Sequence, residues 1–585
     1  MRQLGASPLD RRSIPWRKRV APYGLVAPGG IWLLLFFLVP IAYMLYVSLS
    51  RGSLGAYAFD WNLENYGTAI RLYRTNLLRS LSYASMVTAI TLLLAYPVSY
   101  WIAFHGGRRK YMFLLLLLLP FFVSFIIRTI QWQFILGDEG IILGPLKSIG
   151  ILTDDFHVLS TPASVIAGMV YNFLPFAALP LFVALDRVDH AVVEAGHDLY
   201  ADRTMTFRKV IWPLSLPGVF AAVLLTFVPA VGDYINAELL GGPGTRLLGN
   251  VIQTEFLVNL NYPLAASLSF IIMAILLVGA VGYARFLGTQ TVTSAAAGAV
   301  DAPPKEEHDL VRPGPRRRWT RFILPTYTAL FIAYLISPIV VMILFGFNDP
   351  SGRFNVKWEG FSLDAYRTMF ANTELTQSLR LSLTVGLLSM VVATLLGTLV
   401  GLALGRYRFT GQGAVSFIVF LAIASPEIVL GSSLLTMFVT VSVVPLGLTT
   451  ILIAHVMFSI SFVAVTVRAR VEGLDRALDD AAADLGAGPV KTFLLVTLPL
   501  ILPGVIAGAM LALALSIDDF VITNFVAGPQ TTFPLWVYGS SRIGIPPQVN
   551  VMGTLLFGFG SFLVLAQWLA TRRLPESMQG GGVHG

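Results

Sequence analysis

The chain has 585 residues, of which 56% are hydrophobic and only 12% charged, with a mean hydropathy of +0.74 and a net charge of +8. A water-soluble protein carries about twice that charged fraction, so the composition excludes an ordinary soluble enzyme and points to the bilayer as solvent. The basic excess lies beside apolar runs, where the positive-inside rule explains it without a nucleic-acid partner, and the lack of cysteine excludes disulfides and thiolate metal sites.

The chain starts basic, with Arg11, Arg12, Arg17, Lys18 and Arg19, and turns apolar from about Leu25 to Val47. That stretch exceeds twenty residues and ends in no small-residue cleavage site, so it reads as a retained first span rather than a signal peptide. Apolar windows of about 20 residues then predict six spans near 25–47, 77–104, 111–136, 161–185, 212–240 and 264–288. Six more fall near 322–346, 378–405, 414–443, 448–470, 499–527 and 550–571. The expectation is an all-α membrane protein of about twelve spans: a first unit over 1–288, a linker over 289–321 rich in Pro, Ala and charge, and a second unit over 322–585. Lys and Arg concentrate at the N-terminus, Arg108-Arg109-Lys110, the 187–209 loop, the linker, Arg406 and Arg408, the 468–491 loop and Arg572-Arg573. These segments share one side, the cytoplasm, which puts both termini there and gives the two units the same orientation.

A shift of 286 residues aligns Val188–Pro243 with Leu474–Pro529 without a gap, and 20 of the 56 positions are identical. The matches include Asp189/Asp475, Ala195/Ala481, Asp198/Asp484, Phe207/Phe493, Pro213/Pro499, Gly218/Gly504 and Asp233/Asp519. Generic apolar similarity would match Leu with Val, not aspartates, prolines and glycines in register. Within this repeat Val188, Ala191, Val192, Ala195 and Leu199 form one helical stripe, as do Leu474, Ala477, Leu478, Ala481 and Leu485. Acids lie opposite: Glu194 and Asp198 in one copy, Asp479, Asp480 and Asp484 in the other. Helices that lie on anionic membrane carry basic polar faces, so these acidic ones fit docking onto a protein.

The run Glu194-Ala195-Gly196 … Phe207 … Pro213, and its copy Asp480-Ala481-Ala482 … Gly486 … Phe493 … Pro499, resembles the EAA loop of binding-protein-dependent ABC importer permeases. The sequence departs from that pattern at Tyr200, where a glycine is expected, and at Asp480, where a glutamate is expected. The resemblance implies a type I importer-like permease whose coupling helices, near 188–212 and 474–498, seat on ATP-binding subunits. It assigns that docking to Glu194, Ala195, Gly196, Asp198, Leu199, Asp480, Ala481, Ala482, Asp484 and Gly486. Gly232-Asp233-Tyr234 … Glu238 … Gly249-Asn250 is similar to the first permease subunit of spermidine/putrescine-type importers, and Ser516 to Phe525 to the second. Phe125 to Trp132 and Pro426 to Gly431 also match that style. Permeases for ferric iron, thiamine and opines share much of the pattern.

No phosphate-cradling loop is present: Lys491-Thr492 is preceded by Val490 where glycine is required. The chain should therefore be no enzyme and hold no cofactor of its own, ATP and magnesium being bound by partners. The seven histidines are scattered, and His197 and His455 read as loop and packing residues. Carboxylates within spans are costly unless they face a cavity, a partner or a substrate. Asp233, Asp518, Asp519, Glu238 and Glu427 are thus path candidates that suit a cation; the competing reading makes them helix caps or partners of Arg128. Arg128, some seventeen residues into its span, is expected near the outer interface. Tyr234, Phe520 and Trp132 stack on a cation in one reading and anchor at the interface in the other.

The expected protein is a permease of the bacterial inner membrane that works with two ATP-binding-cassette subunits and an external solute-binding protein. It moves a small, polyamine-like cation inward. A gradient-driven twelve-span carrier is the rival class, but it has no use for paired docking helices.

Overall fold

The computed structural model describes residues 16–53, 56–287, 320–352, 355, 357–442, 444–475 and 477–572. Arg11 and Arg12, the expected linker up to residue 319 and the chain beyond Arg572 lie outside the described residues. Helices dominate the described residues. Among the described residues, nine are long and apolar enough to cross a membrane, and two further bent pairs raise the number to eleven. A last helix, Pro547–Arg572, stands where the twelfth span is expected.

In chain order, Trp16–Leu33 continues through a π-helical turn, Leu34–Leu38, into Val39–Ser48, and together these form α1. A two-strand hairpin follows, β1 (Ser50–Arg51) against β2 (Ala58–Phe59). The first half then runs α2 (Glu64–His105), α3 (Lys110–Leu118), α4 (Phe125–Leu136), α5 (Pro162–Asp186), α6 (His190–Asp198), α7 (Trp212–Gly232), α8 (Ile235–Leu239), α9 (Leu248–Leu257) and α10 (Tyr262–Leu287). The second half repeats the order: α11 (Thr320–Phe345), α12 (Thr373–Arg406), α13 (Gln412–Ile423), α14 (Glu427–Val441), α15 (Leu448–Glu472), α16 (Ala477–Asp484), α17 (Leu498–Asp518), α18 (Val521–Val526), α19 (Phe533–Ser540) and α20 (Pro547–Arg572).

Two expected straight spans are broken. The segment 111–136 bends by 91° between Phe122 and Phe125, and 414–443 bends by 102° between Ile423 and Glu427. Proline is the local cause in both: Pro120 sits in the 3₁₀ turn before the first bend, and Pro426 is the N-cap of α14. The expected spans 212–240 and 499–527 also stop short. α7 ends at Gly232, with Asp233 extended, and α17 ends at Asp518, with Asp519 extended; a short helix follows each. An apolar window measures composition and cannot see such breaks.

The duplication extends to backbone detail. π-helical turns occupy Phe207–Ile211 and Phe493–Thr497, 286 residues apart. Each lies two residues before a proline, Pro213 or Pro499, as the turn in α1 lies two residues before Pro40. Proline supplies no N–H and its ring crowds the carbonyl four residues back, which widens the preceding turn. The shared glycines are explained by close packing. A methyl on Gly218 would lie 2.6 Å from the Pro180 carbonyl oxygen, and one on Gly504 2.9 Å from Arg470 Cβ, so each lets a fifth span close on a fourth.

The halves are interlocked rather than side by side. α1 packs along α12 of the second half, and α11 packs on α2 and α4 of the first. Tyr171 donates to the Leu335 carbonyl at 2.9 Å and Tyr327 to that of Leu94 at 3.0 Å. One apolar cluster runs through both halves, from Met44 and Ile127 to Met457 and Phe525. Water is absent from the bilayer core, so helices satisfy the backbone and the broken segments must find other partners.

Candidate functional site

The four breaks meet where the halves join. A methyl on Gly232, at the end of α7, would lie 3.2 Å from Cβ of Pro426, at the start of α14. Reciprocally, Asp518 at the end of α17 accepts the Phe125 N–H, at the start of α4, at 2.5 Å. Each fifth-span break thus abuts the third-span break of the opposite half. Unwound backbone of this kind is tolerated at membrane depth only where protein buries it or a cavity lines it.

Four carboxylates gather there. Asp233 Oδ1 accepts the Asn236 N–H at 3.0 Å and its Oδ2 accepts the Asn236 side-chain amide at 2.5 Å. Asp519 Oδ2 accepts the Thr523 N–H at 2.8 Å and the Thr523 hydroxyl at 2.6 Å, and lies 3.2 Å from His455 Nε2. Both aspartates therefore cap the short helices that follow them. Asp518 and Glu427 are half-buried and more open. No hydrogen bond to the Glu427 carboxylate occurs among the described residues, and it lies within electrostatic range of Asp519, Asp518 and Asp233. Against these four acids stand one guanidinium, Arg128, whose Nη2 is 3.7 Å from Asp518 Oδ2, and the His455 ring.

The Arg128 side chain does not reach water. It is 1% exposed, in the first turn of α4. A straight span would carry this residue outward, but the 91° bend before Phe125 returns it to the junction. His455 is a buried residue as expected, but its partners make it part of the site: Nδ1 lies 2.6 Å from Ser516 Oγ and Nε2 2.8 Å from Thr523 Oγ1. In the first half the corresponding support is Asn172, which donates to Asn236 at 3.1 Å and Thr129 at 3.0 Å. Cross-span pairing of this sort leaves no trace in local sequence.

Tyr234 and Phe520 are buried, with ring centroids 6.0 Å apart, and Asn524 donates to the Tyr234 hydroxyl at 3.2 Å. Trp132 packs on Tyr171 and Tyr334 in the interior, not at an interface. Gly249 lets α9 approach the first break, since a methyl there would be 2.7 Å from the Gly232 carbonyl oxygen. Asn250 then donates to the Tyr234 carbonyl at 3.0 Å and to Glu238 Oε2 at 3.2 Å. Glu238 also pairs with Arg542 of the second half.

On the side of the molecule where α5 and α15 end, α6 and α16 stand out from the helical body. Ala191, Val192, Ala195 and Leu199 are exposed, as are Ala477, Leu478, Ala481 and Leu485, so each apolar stripe is unpartnered in this chain. Val188, expected on the first stripe, precedes α6 and is buried. Glu194, Asp198, Asp480 and Asp484 are exposed, whereas Gly196 and Ala482 turn toward the chain's own next segment, Gly196 over Thr206 and Val210. The helix starts match: Asp189 caps the Ala191 N–H and Asp475 the Ala477 N–H, both at 3.0 Å. So do the ends. Ala201 N–H bonds to the Gly196 carbonyl at 3.1 Å and Ala487 N–H to that of Ala482 at 3.0 Å, closing each helix through a left-handed residue. That residue is Gly486 (φ +78°) in one copy and Tyr200 (φ +60°) in the other. The missing glycine leaves the geometry intact.

Two stretches, residues 70–287 and 397–571, match the model of one protein family, described as binding-protein-dependent transport system inner membrane component. The spermidine/putrescine transport system permease protein PotC of Escherichia coli K12 is 39% identical over 246 residues, 42% of this chain and 92% of that protein. PotB of Haemophilus influenzae, also described as a spermidine/putrescine transport system permease protein, is 38% identical over 251 residues, 42% of this chain and 88% of that protein. The putrescine transport system permease protein PotI of E. coli K12 is 34% identical over 254 residues, 42% of this chain and 90% of that protein.

Proposed function

Because the chain belongs to the family of binding-protein-dependent transport system inner membrane components, we propose that it is a two-unit permease carrying a small multivalent cation of the polyamine class into a bacterial cell. The observation that carries this reading is the junction of the four breaks, where Asp233, Glu427, Asp518 and Asp519 face one arginine and one histidine. A surplus of buried negative charge at membrane depth is costly without a counter-ion, and a diamine or triamine in transit supplies one. The names of the relatives, two for spermidine/putrescine and one for putrescine, support the same class.

Energy comes from two separate ATP-binding subunits, one under α6 and one under α16. Their exposed stripes are apolar and include Ala191, Ala195, Ala477 and Ala481, whose small side chains allow close approach to a partner. The coupling residues are Glu194, Ala195, Gly196, Asp198, Leu199, Asp480, Ala481, Ala482, Asp484 and Gly486, with Gly196 and Ala482 setting each helix on its own base. ATP and magnesium bind those partners, and an external solute-binding protein delivers the cation to the opposite face. Both termini and the 289–321 linker lie in the cytoplasm, with permease units over 1–288 and 322–585. In this arrangement Asp233 and Asp519 hold the two breaks, while Glu427 and Asp518 meet the substrate and Tyr234 and Phe520 line its route.

The test is uptake of labelled putrescine by cells that lack their own polyamine transport. They express this chain together with an ATP-binding subunit and a solute-binding protein of a polyamine importer. Glu427→Gln should lower uptake about tenfold, the scale of one lost charge contact, at unchanged membrane abundance. Wild-type uptake of an anionic or neutral solute, with none of putrescine, refutes the substrate class.

A further inference from the structure

Glu238 and Arg542 form another charged contact between the halves, on the rim opposite α6 and α16. They are 304 residues apart in the chain. Arg542 follows α19 and is well exposed, its side chain at 62%, whereas that of Glu238 is recessed at 24%. The guanidinium carbon lies 5.6 Å from the centre of the Tyr538 ring, and Nη2 donates to the Tyr538 hydroxyl at 3.3 Å as well as to Glu238 Oε1. The Glu238 carboxylate does not depend on the arginine for its orientation, because Asn250 donates to its other oxygen at 3.2 Å. Beneath this pair the aromatic rings form a ladder, Tyr538 to Phe520 at 4.8 Å and Phe520 to Tyr234 at 6.0 Å. Tyr234 in turn lies within electrostatic range of Asp519 and Glu427.

We infer that Glu238 and Tyr538 form an entry subsite for an organic ammonium group, and that Arg542 is a tethered cation parked in it. A carboxylate beside an aromatic face is the chemistry that holds an alkylammonium ion, and the chain fills that position with its own positive charge. An ion pair this exposed is weak and exchanges readily. An incoming amine therefore replaces a cation by a cation, with no extra charge to place at the mouth. Displacing Arg542 also unties the first half from the second at this rim. The cation then stands at the top of the aromatic ladder, with the four acids below. This inference rests on the cation-path reading proposed above and adds to it a site, a gate residue and an order of events.

Binding of putrescine to the purified full-length chain in nanodiscs, followed by calorimetry, tests it. Arg542→Ala removes the competing charge and should tighten putrescine binding about tenfold. The gain should vanish in the Arg542→Ala, Glu238→Gln double variant. Guanidinium ion should compete with putrescine in Arg542→Ala and not in the wild type. Should the alanine variant melt early, Arg542→Gln takes its place, with the same expected gain. Unchanged or weaker binding in a normally melting Arg542 variant overturns the entry subsite, and so does a gain that survives Glu238→Gln. If wild-type binding is lost in Glu427→Gln and untouched in Arg542→Ala, only the entry subsite fails. Absence of putrescine binding in the wild type and all variants refutes the cation path, and the subsite with it.

Discussion

The fifth span of the first half stops at Gly232 and Asp233, and that of the second at Asp518 and Asp519, 286 positions later. The backbones agree: an extended aspartate, then a short helix capped by its carboxylate. The side chains around them do not. Gly232 rests against Pro426, where Asp518 instead bonds the Phe125 N–H and faces Arg128. Asparagine supports the first break through Asn172, and histidine supports the second through His455. The two copies share their helix breaks, while the acids lie mostly in the second. Three of the four carboxylates, Glu427, Asp518 and Asp519, come from the second half. The junction between two copies of one fold is thus chemically lopsided, with most of its acid supplied by one half.

The largest effect that sharpens this contrast is on stability. Asp519→Ala strands a buried histidine and threonine and should cost about 3 kcal/mol. Asp233→Ala removes a cap and one amide partner and should cost about 1–2 kcal/mol. Melting of the two variants in detergent decides the matter, and equal losses would erase the asymmetry. The helices α6 and α16 differ too. Arg406 Nε donates to Asp479 on α16 at 2.9 Å, and the same guanidinium reaches the Leu474 carbonyl at 3.4 Å, whereas Val193 holds the position of Asp479 on α6. Arg406→Gln should speed amide exchange in residues 477–484 about tenfold and leave 190–198 unaltered; equal change in both would show no selective grip. The smallest effect belongs to Tyr200, which holds a left-handed conformation that disfavours a side chain. Tyr200→Gly should relieve about 1 kcal/mol of strain, read as slower amide exchange at Leu199 and Ala201. Faster exchange there would mean that the tyrosine stabilises the end it closes.

Much of this was legible in sequence because it is periodic or repeated. The 286-residue shift located both short helices, α6 and α16, and the identical Asp189 and Asp475 proved to be their caps. The conflict between path and cap readings of Asp233 and Asp519 was also visible, and the geometry gives both residues caps. What escaped was whatever depends on direction. The bends before Phe125 and Glu427 hide inside apolar runs, although Pro120 and Pro426 mark them. Arg128 was misplaced by the first of these bends. His455 and Arg542 meet their acids across 64 and 304 residues respectively, and no local pattern announces such pairs.

Residue 427 offers the most direct measurement of the route, because the chain contains no cysteine. Glu427→Cys provides a single thiol at the junction of the four breaks. In membranes holding the assembled transporter during turnover, a positively charged methanethiosulfonate should label it faster than a negative one, and putrescine should protect it. Labelling indifferent to reagent charge and to putrescine, with transport still running, would contradict a cation path through this junction.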